Sequence, residues 1–226
     1  MSRIPITRLL PLALLSLPLP ALAITVADCT LQQSCACSES PLSAEEIGIV
    51  MGATPPQGAD GMVFVFQDGD AGTWSPLTPE EIDIVSGGDG ACDGPLVPED
   101  GTWVTRSTLN SLHCGAGTAM MRSMIEGTLN KENPVPVRWN GDFSADTWRR
   151  AWIAANPQAE APNTPTFNRV SPVELSGRDS IKGMTSTQRM VLLTPRSFRM
   201  DWQFEGQNEM GACGWSVTHM VRRTEG

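Results

Sequence analysis

Between Ile24 and Asp100 the chain contains no lysine, arginine or histidine, against fourteen aspartates and glutamates. A stretch with no cation would repel phosphates rather than neutralise them, which excludes nucleic acid as its partner. Histidine is nearly absent elsewhere too: only His113 and His219 occur in 226 residues. That removes histidine-rich metal sites and leaves few candidate bases. Gly-x-Ser-x-Gly, His-Glu-x-x-His and a phosphate loop are all missing. No catalytic residue and no cofactor is assigned on these grounds, and an enzyme is the weaker class. After residue 23 no run approaches the 18 or more apolar residues of a membrane span. Tyrosine is missing as well, beside seven tryptophans; nothing in the sequence explains it.

What is present begins with a leader. Arg3 and Arg8 precede an apolar run from Leu9 to Leu22, which closes on Ala21-Leu22-Ala23. This is the pattern of a secretory signal peptide with a small-x-small cleavage site, spanning residues 1–23. Pro11, Pro18 and Pro20 interrupt the run, and it is short for a membrane anchor. The expectation is a periplasmic or secreted protein with no membrane insertion once the leader is removed. Loss of the two arginines takes the formal charge from −9 to −11. From Gly101 onward fourteen arginines and lysines face eleven acids. The break at residue 100 divides an acidic N-terminal unit, 24–100, from a mildly basic unit, 101–226.

Within the acidic unit, residues 42–52 (LSAEEIGIVMG) and 77–87 (LTPEEIDIVSG) form an internal repeat. In each, Ser43 or Thr78 is followed three residues later by Glu46 or Glu81, a capping box. Pro79 takes a first-turn position where its missing N–H is harmless. Two short helices ending at glycine are expected. Met62 to Phe66 reads as a buried strand between them, and five Asp-Gly pairs mark turns.

The basic unit carries alternation with a period of two. Phe198, Met200, Trp202 and Phe204 alternate with Arg199, Asp201, Gln203 and Glu205. Trp215, Val217, His219 and Val221 repeat the pattern, and Arg189 to Leu193 supplies another strand. Trp103 to Ser107 opens the sheet, while Val135, Val137 and Trp139 form an edge strand because of Pro136. Helices are expected over Thr118–Leu129 and after the Ser144 cap up to Asn156. The fold class is therefore mainly β (α+β): an antiparallel sheet or barrel-like meander with a few short helices, beside the small acidic unit.

Gly101-Thr102-Trp103 on the first strand of this unit, with Arg222 and Arg223 on its last, resembles the calycin (lipocalin-like) barrel. There a Gly-x-Trp packs under an arginine from the final strand. The resemblance covers only these ends; it implies a cup-shaped β-barrel holding a small apolar ligand. The helix over 144–155 and the Pro- and Asn-rich loop near 158–166 depart from a plain eight-strand meander.

Six cysteines in an exported chain favour disulfides. Cys35 and Cys37 are too close to join each other, so each needs one of Cys29 and Cys92, in either arrangement. Cys114 then pairs with Cys213, closing a loop of about 100 residues worth about 4–5 kcal/mol in the chain-entropy model. Two rival classes remain. One is a copper-binding protein using Cys35 and Cys37 as thiolates, helped by Met120, Met121 and Met124. The other is a small hydrolase built on Cys114 and His219, with Asp201 orienting the base. The reading preferred here is a disulfide-stabilised binding or structural module. Trp103, Trp202, Trp215 and His219 are its candidate ligand-binding residues, the tryptophan indole N–H groups giving an apolar pocket polar handles.

Overall fold

A computed structural model describes residues 23–29, 34–67, 72–92, 96–129, 133–157, 165–181, 183–208 and 211–224. The leader up to Leu22, the aspartate turn at 68–70 and the loop over 158–164 lie outside them. The chain is mainly β, with four short helices and an antiparallel seven-stranded sheet curled into a half-barrel.

Two sheets organise it. The smaller has the order β2-β1-β3-β4, built from β1 (Ile24–Cys29), β2 (Ala36–Ser40), β3 (Val63–Gln67) and β4 (Thr73–Ser75). Its central pair, β1 and β3, runs parallel, because α1 (Ala44–Met51) lies in the connection between them. The repeat forms helices as its capping boxes require. Ser43 Oγ accepts the Glu46 N–H at 3.3 Å and Glu46 Oε2 accepts the Ser43 N–H at 3.0 Å. Thr78 and Glu81 do the same for α2 (Pro79–Ser86), at 3.3 and 2.9 Å. Both helices stop at a glycine in the left-handed region, Gly52 (φ 70°) and Gly87 (φ 102°), where a side chain would be strained.

The two helices take opposite faces of the small sheet. Ile47 of α1 packs with Ile24, Val26, Phe64 and Phe66, whereas Ile82 of α2 packs with Ala27, Val63 and Val65. One repeat position diverges with purpose. At Gly48 a Cβ would come within 2.8 Å of the Ala53 carbonyl, so no side chain fits. Its counterpart Asp83 is fully buried and accepts N–H groups from Cys35 and from Gly90 (2.8 Å). That carboxylate ties the cysteine-bearing strand entry to the loop after α2.

The larger sheet has the order β6-β5-β11-β10-β9-β8-β7. Its members are β5 (Gly101–His113), β6 (Val135–Val137), β7 (Phe167–Ser171), β8 (Glu174–Ile181), β9 (Met184–Thr194), β10 (Ser197–Asn208) and β11 (Gly211–Thr224). The first long strand, β5, pairs antiparallel with the last, β11, from Thr102 opposite Thr224 to His113 opposite Gly214, with a bulge at Asn110 that shifts the register between Val217 and Ser216. Between β5 and β7 the chain makes α3 (Thr118–Leu129), the edge strand β6 and α4 (Ala145–Ala155). Ser144 caps α4 as its sequence predicts, accepting from Thr147 N–H.

One face of this sheet packs under α4 around Trp103, Trp139, Phe143, Trp148, Phe198 and Val221. The rings meet mostly edge to face, Trp103 on Trp139 at 5.7 Å and Trp148 on Phe198 at 5.1 Å. The opposite face presents Val191, Leu193 and Met220 to the small sheet and α1. Strand β9 is consequently buried on both sides from Met190 to Leu193, which is why its sequence is continuously apolar there instead of alternating. Arginines fasten the layers: Arg199 faces Glu46 at 3.7 Å, and Arg196 and Arg223 both pair with Glu99 at 2.9 and 3.3 Å.

Candidate functional site

Residues directly opposite one another on neighbouring strands share a face, so the register of the large sheet fixes which side chains meet. Three successive rows cross the α4 face toward its far end. Ser107, His219, Met200 and Met190 make the first; Leu109, Val217, Trp202 and Gln188 the second; Leu112, Trp215, Phe204 and Ser186 the third. No charged side chain lies in any of them. The first row is mostly buried, and exposure increases toward the third, where Phe204 and Trp215 stack at 4.0 Å and 16°. Trp202 stands edge-on to Phe204 at 6.2 Å and to His219 at 4.7 Å.

The polar groups of this patch are poorly satisfied. His219 Nδ1 is 2.7 Å from Ser107 Oγ, but its Nε2 is buried with no hydrogen-bond partner among the described residues. The same holds for Trp202 Nε1. Gln188 is almost wholly buried and donates only a long 3.4 Å bond to Ser186 Oγ. Burial drives the His219 pKa down to about 4, against a weaker opposing pull from Asp201, so the ring is neutral at physiological pH. Asp201 sits on the other face, held by Arg199 at 2.8 Å and Thr218 at 2.7 Å.

Trp202, Trp215 and His219 are thus brought together, with Ser107, Gln188 and Phe204 beside them. Trp103 stands apart: it is fully buried in the core under α4, its indole N–H also without a partner, and opposite Arg223 rather than His219. Arg223 lies over Gly101, where a Cβ would come within 2.6 Å of its guanidinium, and donates to the Asp100 carbonyl at 3.0 Å. The space under the sheet next to Trp103 is filled by tryptophan and phenylalanine rings.

All six cysteines are oxidised, as Cys29–Cys35, Cys37–Cys92 and Cys114–Cys213. The first two resolve the arrangement that spacing leaves open. Neither Cys35 nor Cys37 is a free thiolate, and Cys114 is bonded away from His219. Met120 and Met124 of α3 are exposed at 60% and 62%. No group of three or more His, Cys, Asp or Glu side chains suited to a metal ion occurs among the described residues, and no described helix is long and apolar enough to cross a membrane.

A separate depression of about 310 Å³ lies between the start of α4 and β7, lined by Ser144, Asp146, Arg149, Thr166 and Arg169. Its arginines are already engaged, Arg149 with Asp146 at 3.7 Å and Arg169 with Asp142 at 2.6 Å. No family model, no curated protein and no solved structure matches this chain.

Proposed function

We propose that the protein is an exported binding module that holds a small, uncharged, ring-bearing ligand against the Trp202–Phe204–Trp215 end of the α4 face. The observation that carries this reading is the continuity of a partly exposed aromatic stack with two buried, unpartnered ring nitrogens, Trp202 Nε1 and His219 Nε2. An unpaired buried polar atom costs about 1–3 kcal/mol, which a ligand supplying the missing partner recovers. The lack of charged side chains in the three rows, with a neutral His219, favours an uncharged ligand because an unpaired charge there would be desolvated without compensation. Neither nitrogen is open to solvent, so entry involves a side-chain rearrangement at this end of the sheet. Six paired cysteines support an oxidising compartment, periplasmic or extracellular. The cup-shaped barrel implied by the calycin resemblance is supported only as far as a curled sheet in which the first long strand pairs with the last.

The test is a titration with N-phenylnaphthylamine, an uncharged aromatic probe, followed by quenching of tryptophan emission. Saturable binding that weakens about tenfold in Trp215→Ala, one aromatic platform's contribution, is expected. Binding no stronger than to an unrelated protein, or equal binding by Trp202→Ala, Trp215→Ala and the parent, refutes the site.

A further inference from the structure

The internal repeat gives the chain two copies of one helix surface, and the structure uses only the first. In α1, Glu46 spends Oε2 on its capping box and turns Oε1 toward Arg199 at 3.7 Å. One turn on, Val50 packs into the cluster that contains Met220, and its carbonyl accepts Arg222 Nη2 at 3.4 Å. That carbonyl belongs to the last turn, where helix C=O groups lack intrahelical partners and the dipole favours a cation. The helix itself provides none, having no basic residue in its last turn. Arg199 and Met220 are directly opposite on β10 and β11, and Arg222 is two residues beyond Met220 on the same face. Helix α1 is therefore seated on a patch that reads arginine, methionine, arginine.

Helix α2 repeats every element of this surface. Glu81 matches Glu46, likewise spends Oε2 on its cap, and has no ion pair among the described residues. Val85 matches Val50 but is 75% exposed, whereas Ile84 is exposed like its counterpart Ile49 and lies outside the shared surface. The last turn of α2 also lacks a basic residue. Because α2 lies on the far side of the small sheet from β10 and β11, the arginines that serve α1 are not placed to serve it. No cation exists anywhere from Ile24 to Asp100 to take their place.

We infer that the outward face of α2, formed by Glu81, Val85 and the Val85 carbonyl, which has no partner among the described residues, is a docking surface for a second protein. That protein presents two arginines around an aliphatic or methionine side chain on a β-sheet face, as β10 and β11 present theirs to α1. The carboxylate and the helix C-terminus attract the two guanidiniums, while Val85 buries against the apolar centre as Val50 does in α1. The surface is independent of the ligand site on the large sheet.

The experiment titrates the whole mature protein, isotopically labelled, with a cyclised β-hairpin peptide whose one face reads Arg, Met, Arg. Amide shifts confined to Glu81–Gly87, saturable and lost at high salt, are expected. Val85→Ser should weaken binding about tenfold, the loss of one buried aliphatic side chain. Glu81→Gln keeps the cap but should remove the salt dependence at this position. Both residues are exposed, so the variants fold; an unchanged thermal transition checks this. The inference is overturned by no shifts at millimolar peptide, by shifts elsewhere, by equal binding of a hairpin with glutamates in place of the arginines, or by indifference to both substitutions. Self-association abolished by Val85→Ser would instead assign the face to a second copy, and vesicle binding lost in the same variant would assign it to a membrane; either result overturns it too.

Discussion

Protonating His219 should cost this fold a defined amount of stability. In the unfolded chain its pKa is near 6.5, whereas burial beside Trp202 and Ser107 lowers it to about 4 in the folded protein. A depressed folded pKa means that the unfolded state takes up the proton first. The stability is fully present above pH 6.5, falls as pH drops below that value, and levels off below about pH 4. A gap of 2.5 units at 1.36 kcal/mol each bounds the loss near 3.4 kcal/mol; about 2 kcal/mol is gone by pH 5 and about 3 by pH 4. His219→Gln keeps a polar group near Ser107 but cannot titrate. Urea unfolding of both proteins, followed by tryptophan emission at pH 7.5, 5 and 4, isolates the effect, because every carboxylate titrates alike in the two and cancels. The difference in unfolding free energy should shift by about 3 kcal/mol in favour of the variant between the extremes. Parallel pH profiles, agreeing within about 0.5 kcal/mol, or an imidazole NMR titration midpoint near 6.5, would refute the burial argument. Only two histidines exist and His113 is exposed, so the imidazole signals are simple to assign.

Three further outcomes follow from the same structure. Asp83→Ala leaves the buried Cys35 amide and the part-buried Gly90 amide without an acceptor and should lower stability by about 2–4 kcal/mol in urea melts; a change under 1 kcal/mol would show the amides finding water. Removing the Cys114–Cys213 bond as a double serine variant opens a closure of 99 residues, for a loss of about 4–5 kcal/mol. A thermal midpoint unchanged by that variant would contradict the chain-entropy account. Gly72→Ala places a Cβ 2.2 Å from the fully buried Phe64 ring and should cost about 1–3 kcal/mol by overpacking. A neutral result in calorimetry would mean that β4 shifts freely at the sheet edge.

Local chemistry was legible where one residue type forces one geometry. The capping boxes at Ser43 and Thr78 placed α1 and α2, and the alternation from Phe198 to Phe204 placed β10, since side chains on a strand must alternate faces. Strands β1, β7 and β8 gave no such signal. β1 is buried on most of its length between neighbours, and β8 reads as polar because its outer positions are charged or small. Of the candidate site, Trp202, Trp215 and His219 were readable as members of apolar faces. Ser107 and Gln188 were not, because a polar residue on a strand acquires meaning only through the residue opposite it. The separation of Trp103 from the other three was equally hidden, as was the parallel pairing of β1 with β3.

By itself, then, the sequence determined the charge divide at residue 100, the repeat, the alternating strands and the even set of cysteines, because each depends on neighbours within a few positions. Tertiary structure alone decided which of Cys35 and Cys37 meets Cys29 and which meets Cys92, and which rows of side chains share a face. It also decided that one copy of the repeat rests on Arg199 and Arg222 while the other faces outward. Those outcomes depend on register and layering between segments far apart in the chain, and two nearly identical helices acquire different roles only from the surfaces they are packed against.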